Sequence, residues 1–299
     1  MTNEETTGAA AAAASLPRVQ AITPRDLVDV LAKGFHDFWA MPTHVIFLSL
    51  IYPIAGIFIA AATLGFQFLP LLYPMAAGFA LLGPFAAIGL YELSRRREQG
   101  LDTAWSHAFE LLEADSFRPI LGLGLVLLVI FGVWVAVAQA IYVSHFGYAQ
   151  PESIGAFVRQ VLTTKAGHSM ILVGNGVGFL FALVAFAISV VAFPLLIDRN
   201  IGATAAAVTS VKAVMRNPLT MALWGVIVAA ALLIGSLPLF VGLAVVIPVL
   251  GHSTWHLYRK VVVSDLPPRE PHPKPPKGRR YAADFPAVLF PVYDKEPPP

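Results

Sequence analysis

The chain contains no cysteine, which excludes disulfides, thiolate metal sites, iron–sulfur ligation and cysteine nucleophiles together. It is also poor in charge. Only 13% of its 299 residues are Asp, Glu, Lys or Arg, against roughly 25% in an ordinary soluble domain. Phe38–Tyr91, Pro119–Pro151, Ala166–Ile197 and Asn217–Tyr258 contain no such residue, and each exceeds the ~20 apolar residues that cross a bilayer. This scarcity excludes a disordered chain, a coiled coil, a soluble enzyme and a nucleic-acid binder with a basic coat. The chain also lacks a GxxxxGK[ST] phosphate loop, an HExxH pair, a GxSxG elbow and the GxGD of intramembrane aspartyl proteases.

What remains is 57% hydrophobic and reads as an all-α, polytopic transmembrane protein. The first gap is too long for one helix, and Gly65, Gln67 and Pro70 break it into spans over about 43–66 and 69–91. Single spans fit 119–142 and 170–197, separated by a polar stretch at 143–169. The last gap divides at Gly235, Ser236 and Pro238 into 219–234 and 237–257. Six spans in three hairpins put both termini inside, leaving only Arg159 and Lys165 of the 20 basic residues outside, as retention of basic loops in the cytoplasm requires. Residues 1–22, with no basic, Leu-rich leader, read as a disordered tail ahead of a membrane domain at 23–263. Residues 264–299 are Pro-rich and basic, and read as a second disordered tail carrying an apolar island, Phe285–Tyr293.

An amphipathic segment ending at a proline precedes each hairpin, with Pro42, Pro119 and Pro218 at the junctions. In the first, Leu27, Val30, Leu31, Gly34, Phe35 and Phe38 form an apolar stripe opposite Asp26, Asp29, Lys33, His36 and Asp37, with Thr23 and Pro24 at its start. In the second, Leu101, Ala104, Trp105, Ala108, Phe109 and Leu112 form the stripe. The third, Ile201, Ala205, Val208, Val211 and Met215, is Ala-rich and weaker. Three parallel repeats follow, each a cytoplasmic interfacial helix and a transmembrane hairpin. Pro84, Pro194 and Pro248 fall in the even-numbered spans, where each must free a backbone group that a neighbour satisfies.

Groups able to carry chemistry are scarce. Gln139 and Asn175 are the deep amides, and Asn175 lies within a Gly174–Gly178 GxxxG spacing suited to close helix packing or a substrate contact. Glu92, Arg95, Arg96 and Arg97 close the second span, and His252 and His256 share one helix face near the end of the sixth. These form a candidate cytoplasmic-interface cluster, read as a topology anchor, lipid-headgroup contact or aromatic-belt neighbour. No catalytic residue, metal set or cofactor motif is assigned.

The stretches GFHDFWAMP (Gly34–Pro42), LLGPFAAIGLYELSRRREQG (Leu81–Gly100), DRNIGATAAAVTSVKAVMRNP (Asp198–Pro218) and GHSTWHLYRKVV (Gly251–Val262) resemble a bacterial membrane family catalogued as domain of unknown function 2189. The resemblance runs from about Val19 to Val263 and implies a bacterial inner-membrane location. Some members carry a label relating them to cytochrome c oxidase subunit I. The residues here argue against haem and copper ligation, since histidines occur in the expected spans only at His44, His252 and His256, all near a boundary. The expected function is that of a non-enzymatic accessory protein in contact with the bilayer and with another membrane complex, such as a respiratory one. The alternative is a small transporter or channel built on the pseudo-repeat.

Overall fold

A computed structural model describes residues 16–41, 70–104, 107, 116–148, 151–237, 241–263 and 268, all within one compact unit, Met1–Arg269. The expected span at 43–66, most of the second amphipathic segment and both tails lie outside the described residues. The elements in chain order are β1 (Arg18–Val19), α1 (Pro24–Ala40), α2 (Leu72–Phe79), a 3₁₀ turn at Ala80–Leu82, α3 (Gly83–Ala86) and α4 (Ile88–Glu98). There follow α5 (Phe117–Phe146), α6 (Ile154–Thr163), α7 (Lys165–Ser189), α8 (Ala192–Asp198), α9 (Ala203–Arg216), α10 (Pro218–Ser236), α11 (Leu243–Val261) and β2 (Val262–Val263).

Among the described residues three helical stretches are long and apolar enough to cross a membrane: Phe117–Phe146, Lys165–Asp198 and Pro218–Ser236. The first ends at Gly147, whose φ of 69° suits glycine and lets its N–H reach Val143 O at 2.8 Å. The segment expected as a second span is instead broken into α2, the 3₁₀ turn, α3 and α4, with Pro84 in the short α3. Where the sequence places the sixth span, α11 starts later, at Leu243, and continues to Val261.

Pro194 breaks the long α7–α8 stretch in the way its chemistry requires. A proline ring clashes with the carbonyl four residues earlier, and α7 gives way at Val190–Val191 before α8 resumes. The Val191 N–H, displaced from the helical ladder, donates to the buried Ser210 Oγ of α9 at 3.2 Å. The neighbour anticipated from the sequence is therefore a hydroxyl on the third amphipathic helix. On that helix Ala206, Thr209, Ser210 and Ala213 are buried, whereas Val208 and Met215 of the expected apolar stripe face outward.

The N-terminal segment is clamped before α1 begins. β1 pairs antiparallel with β2, Arg18 opposite Val263 and Val19 opposite Val262. Asn217, at the α9–α10 corner, accepts from the Ile22 N–H at 2.8 Å and donates to Gln20 O at 3.1 Å. Thr23 then starts α1: its N–H and hydroxyl both donate to Asp26 Oδ2 at 2.8 Å, and Pro24 occupies the first turn.

From this start α1 packs along α11. Its face toward α11 is Leu27, Val30, Gly34, Asp37 and Phe38, all buried. Asp37, assigned to the polar side by the sequence, is thus inside the packing, because α11 presents polar groups to receive it. Val28, Phe35 and Trp39 are 68%, 46% and 63% exposed and form a second apolar sector, beside the half-buried Leu31, which packs against the core. Gly34 marks the closest approach: a Cβ there would stand 2.0 Å from Ser253 Oγ and 2.6 Å from Ser253 N.

Two substitutions test this packing. Ser210→Ala orphans a buried N–H and should lower stability by about 1 kcal/mol or more, read as a loss of thermal stability in detergent; an unchanged midpoint would show that Ser210 does not support the break. Gly34→Ala forces backbone apart and should cost about 1–3 kcal/mol. Gly202→Ala, where an added Cβ meets nothing within 4 Å, is its control, and equal behaviour of the two would refute the close crossing.

Candidate functional site

Where α1, α4 and α11 meet, the apolar core gives way to a buried polar network. α4 carries Glu92, Ser94, Arg95, Arg96, Arg97 and Glu98, α11 carries His252, Trp255, His256, Tyr258, Arg259 and Lys260, and α1 supplies Asp37. Asp37 is the convergence point. Its Oδ2 accepts from Ser94 Oγ at 2.8 Å and from His256 Nε2 at 2.8 Å, and its Oδ1 accepts from Arg97 Nη1. Ser94 also meets His252 Nδ1 at 2.6 Å.

That geometry sets proton positions. A hydroxyl has one proton, and Ser94 gives it to Asp37, so His252 donates from Nδ1 and keeps a lone pair on Nε2. Ser94 is 1% exposed and His252 0%. A serine whose proton is held by a carboxylate and whose oxygen receives an imidazole acts as a strut rather than a nucleophile. His252 Nε2 and Ser253 Oγ are buried with no partner among the described residues.

The expected cluster of Glu92, Arg95, Arg96, Arg97, His252 and His256 divides into two groups. Glu92 is held in a bidentate pair by Arg95, at 2.8 Å to each oxygen, with Arg96 at 3.6 Å. Glu92 and Arg95 are each 3% exposed, and Arg96 donates to Asp102 O at 2.7 Å. These three residues are buried within the protein. Only Arg97 turns to the Asp37 network, its Nη2 also reaching His36 Nδ1 at 3.2 Å.

Two further carboxylates tie α11 down. Glu98 accepts from Trp255 Nε1 and Arg259 Nε, both at 3.0 Å. Asp198 accepts from Tyr258 OH at 2.6 Å and Arg199 Nε at 2.9 Å. Burial, followed by the Asp198 charge, pushes the Tyr258 phenol well above its ordinary pKa, so it stays a donor. Asp37, Ser94, His36 and Asp198 were not assigned to a site by sequence reasoning, although a charged residue one position off a helix's buried stripe is the signal that could have flagged Asp37.

On the outer side of the network lies an open cleft of about 290 Å³, lined by Lys33, His36, Asp37, Ser94, Arg97, Glu98 and His256. Among the described residues no trio of His, Asp or Glu side chains is arranged to hold a metal ion.

The deep amides do not join this site. Asn175 accepts from Tyr73 OH at 2.7 Å and donates to its own helix at Ile171 O, 2.8 Å away. Gly178 is a close contact, since a Cβ there would meet the Trp134 ring at 2.9 Å, whereas one at Gly174 would meet nothing within 4 Å. The GxxxG spacing therefore packs through one glycine. Gln139 is half-buried on α5.

Asp26, bonded to Thr23 and then to Lys260, has its pKa lowered to about 2. Lys260 and then Lys33 lower Asp29. Burial alone would raise Asp37, but bonds from His256 and Ser94 leave it lowered overall. A carboxylate depressed below 3.8 on folding stabilises fully above that pH and loses its contribution as pH falls through the folded value. The α1–α11 contact should thus weaken from about pH 4 toward pH 2. Thermal midpoints should fall across that window, and by less in Asp26→Asn/Asp29→Asn; equal acid loss in both proteins would contradict the assignment.

Residues 72–198 match the family model described as "Predicted integral membrane protein (DUF2189)". No curated protein and no solved structure matches the chain. Ser94 and Arg97 lie inside the matched region, whereas Asp37, His252 and His256 lie outside it.

Proposed function

With the match of residues 72–198 to the DUF2189 model of predicted integral membrane proteins as the premise, we propose that the protein works by binding within the membrane rather than by catalysis. It is a multi-pass bacterial inner-membrane protein with six spans and both termini cytoplasmic, accessory to another membrane complex that it helps assemble or stabilise. The observation that carries this reading is the state of the reactive groups. Ser94, His252 and Asp37 are buried and bonded across helices through Ser94, and Glu92 and Arg95 are buried and paired within α4, an arrangement that rigidifies a platform and, among the described residues, leaves no exposed nucleophile–base pair.

Two further features support it. The outward sector of α1, Val28, Phe35 and Trp39, suits a helix lying in the interface with an aromatic at headgroup level. Asn175, the deep amide a transport path would use, has both ends of its side chain bonded within the protein.

Solubilisation in a gentle detergent, affinity capture of the tagged full chain and mass spectrometry of what copurifies test the proposal. A stoichiometric membrane complex, lost on deletion of the apolar island Phe285–Tyr293, is the expected result. Purification of the protein alone from intact membranes would rule out the accessory role.

A further inference from the structure

The cleft beside Asp37 has an asymmetry in its unused hydrogen-bonding capacity. Both carboxylates in its wall are occupied: Asp37 by Ser94, His256 and Arg97, and Glu98 by Trp255 and Arg259. The donors are not exhausted. A guanidinium has five N–H groups and no acceptor, and Arg97 engages Nη1 with Asp37 and Nη2 with His36. Because Arg97 can only donate, His36 must accept at Nδ1, so its proton sits on Nε2, on an exposed ring. Lys33 is half exposed and bonds Asp29 at 3.0 Å, which leaves further ammonium protons.

A cleft whose carboxylates are engaged by protein and whose free donors are cationic or imidazole N–H groups recognises an anion rich in acceptor oxygens. We infer that this cleft binds a phosphate-bearing anion, held by Lys33, His36 and Arg97. The inference rests on the binding reading above. Arg97 supplies planar, paired donors and Lys33 a mobile point charge, the two complementary ways side chains hold phosphate. The rigidity comes from behind: Asp37 fixes the Arg97 fork, and His256 and Ser94 fix Asp37. A volume of about 290 Å³ accommodates a phosphate together with the group it esterifies.

Lys33 and His36 leave α1 on the polar flank between Asp37 and the Val28, Phe35 and Trp39 sector. With that apolar sector in the bilayer interface, the cleft would open toward the headgroup layer and the cytoplasm, so the phosphate belongs either to an anionic lipid or to a soluble molecule.

The test uses the purified full chain in dodecyl maltoside with two probes, dioctanoyl phosphatidylglycerol and inorganic phosphate, their binding followed by native mass spectrometry and by thermal shift. Lys33→Gln/His36→Gln removes two outer donors without touching Asp37, and Lys212→Gln removes an exposed cation elsewhere. Saturable binding of a probe, weakened roughly tenfold or more in the double variant and unchanged in Lys212→Gln, is expected. Binding of the lipid alone identifies a headgroup site, and competition by inorganic phosphate identifies a site for a soluble phosphate. Absence of saturable binding by either probe, or equal binding by the wild type and the double variant, overturns the inference. Because the accessory role is read from copurification, a captured complex without phosphate binding would remove this site alone.

Discussion

One carboxylate organises the polar end of this protein. Asp37 is a charge on a helix face otherwise made of Leu27, Val30, Gly34 and Phe38, and burial there would be prohibitive for an isolated ion. It is stable because donors arrive from two other helices, Ser94 and Arg97 on α4 and His256 on α11, and together they saturate its oxygens. Each donor is fixed in turn, so the carboxylate sets the register of three helices at once. Removing it would leave an arginine, a histidine and a serine facing a hole, which costs about 3–5 kcal/mol for a buried pair. The Gly34–Ser253 crossing lies one turn away, and only the absent glycine side chain lets α1 come near enough to α11 for Asp37 to reach these partners.

The same logic of freed and recaptured groups governs the long α7–α8 stretch. Pro194 displaces the Val191 N–H, and Ser210 recovers it. The break and its satisfaction are a pair: in a lipid environment a displaced backbone group has no water to turn to. This gives α9 a polar buried face, Thr209 and Ser210, where an interfacial helix would ordinarily show its apolar side to the protein.

These two cases show what was legible in the sequence. The helix start at Thr23–Pro24, the all-α membrane class and the disturbance at Pro194 follow from chemistry local in the chain, and local chemistry is what a sequence displays. Asp37 and Ser210 do not, because their roles are set by residues 57 and 19 positions away. A helical wheel sorts α1 into one apolar and one polar side. The helix in fact has three sectors, one against α11, one polar, and one of Val28, Phe35 and Trp39 left outward. Periodicity reports hydrophobicity, not which apolar sector meets protein and which meets something else. The arginine run shows the same limit: Arg95, Arg96 and Arg97 are adjacent in sequence but diverge by about 100° each around a helix, so two turn inward to Glu92 and Asp102 and one turns to the cleft.

That divergence also separates structure from function within a single basic run. Arg95 and Arg96 have partners that leave them little exposed, and their charge is compensated inside the fold. Arg97 has its carboxylate behind it and open space in front. A cation held in place by one buried anion keeps its remaining N–H groups aimed outward, with less conformational entropy to lose on meeting a second anion. Asp37 therefore does more than hold helices together: by fixing Arg97 and leaving its outer face open, the interaction on which the packing depends also pre-organises a cation in the wall of the cleft.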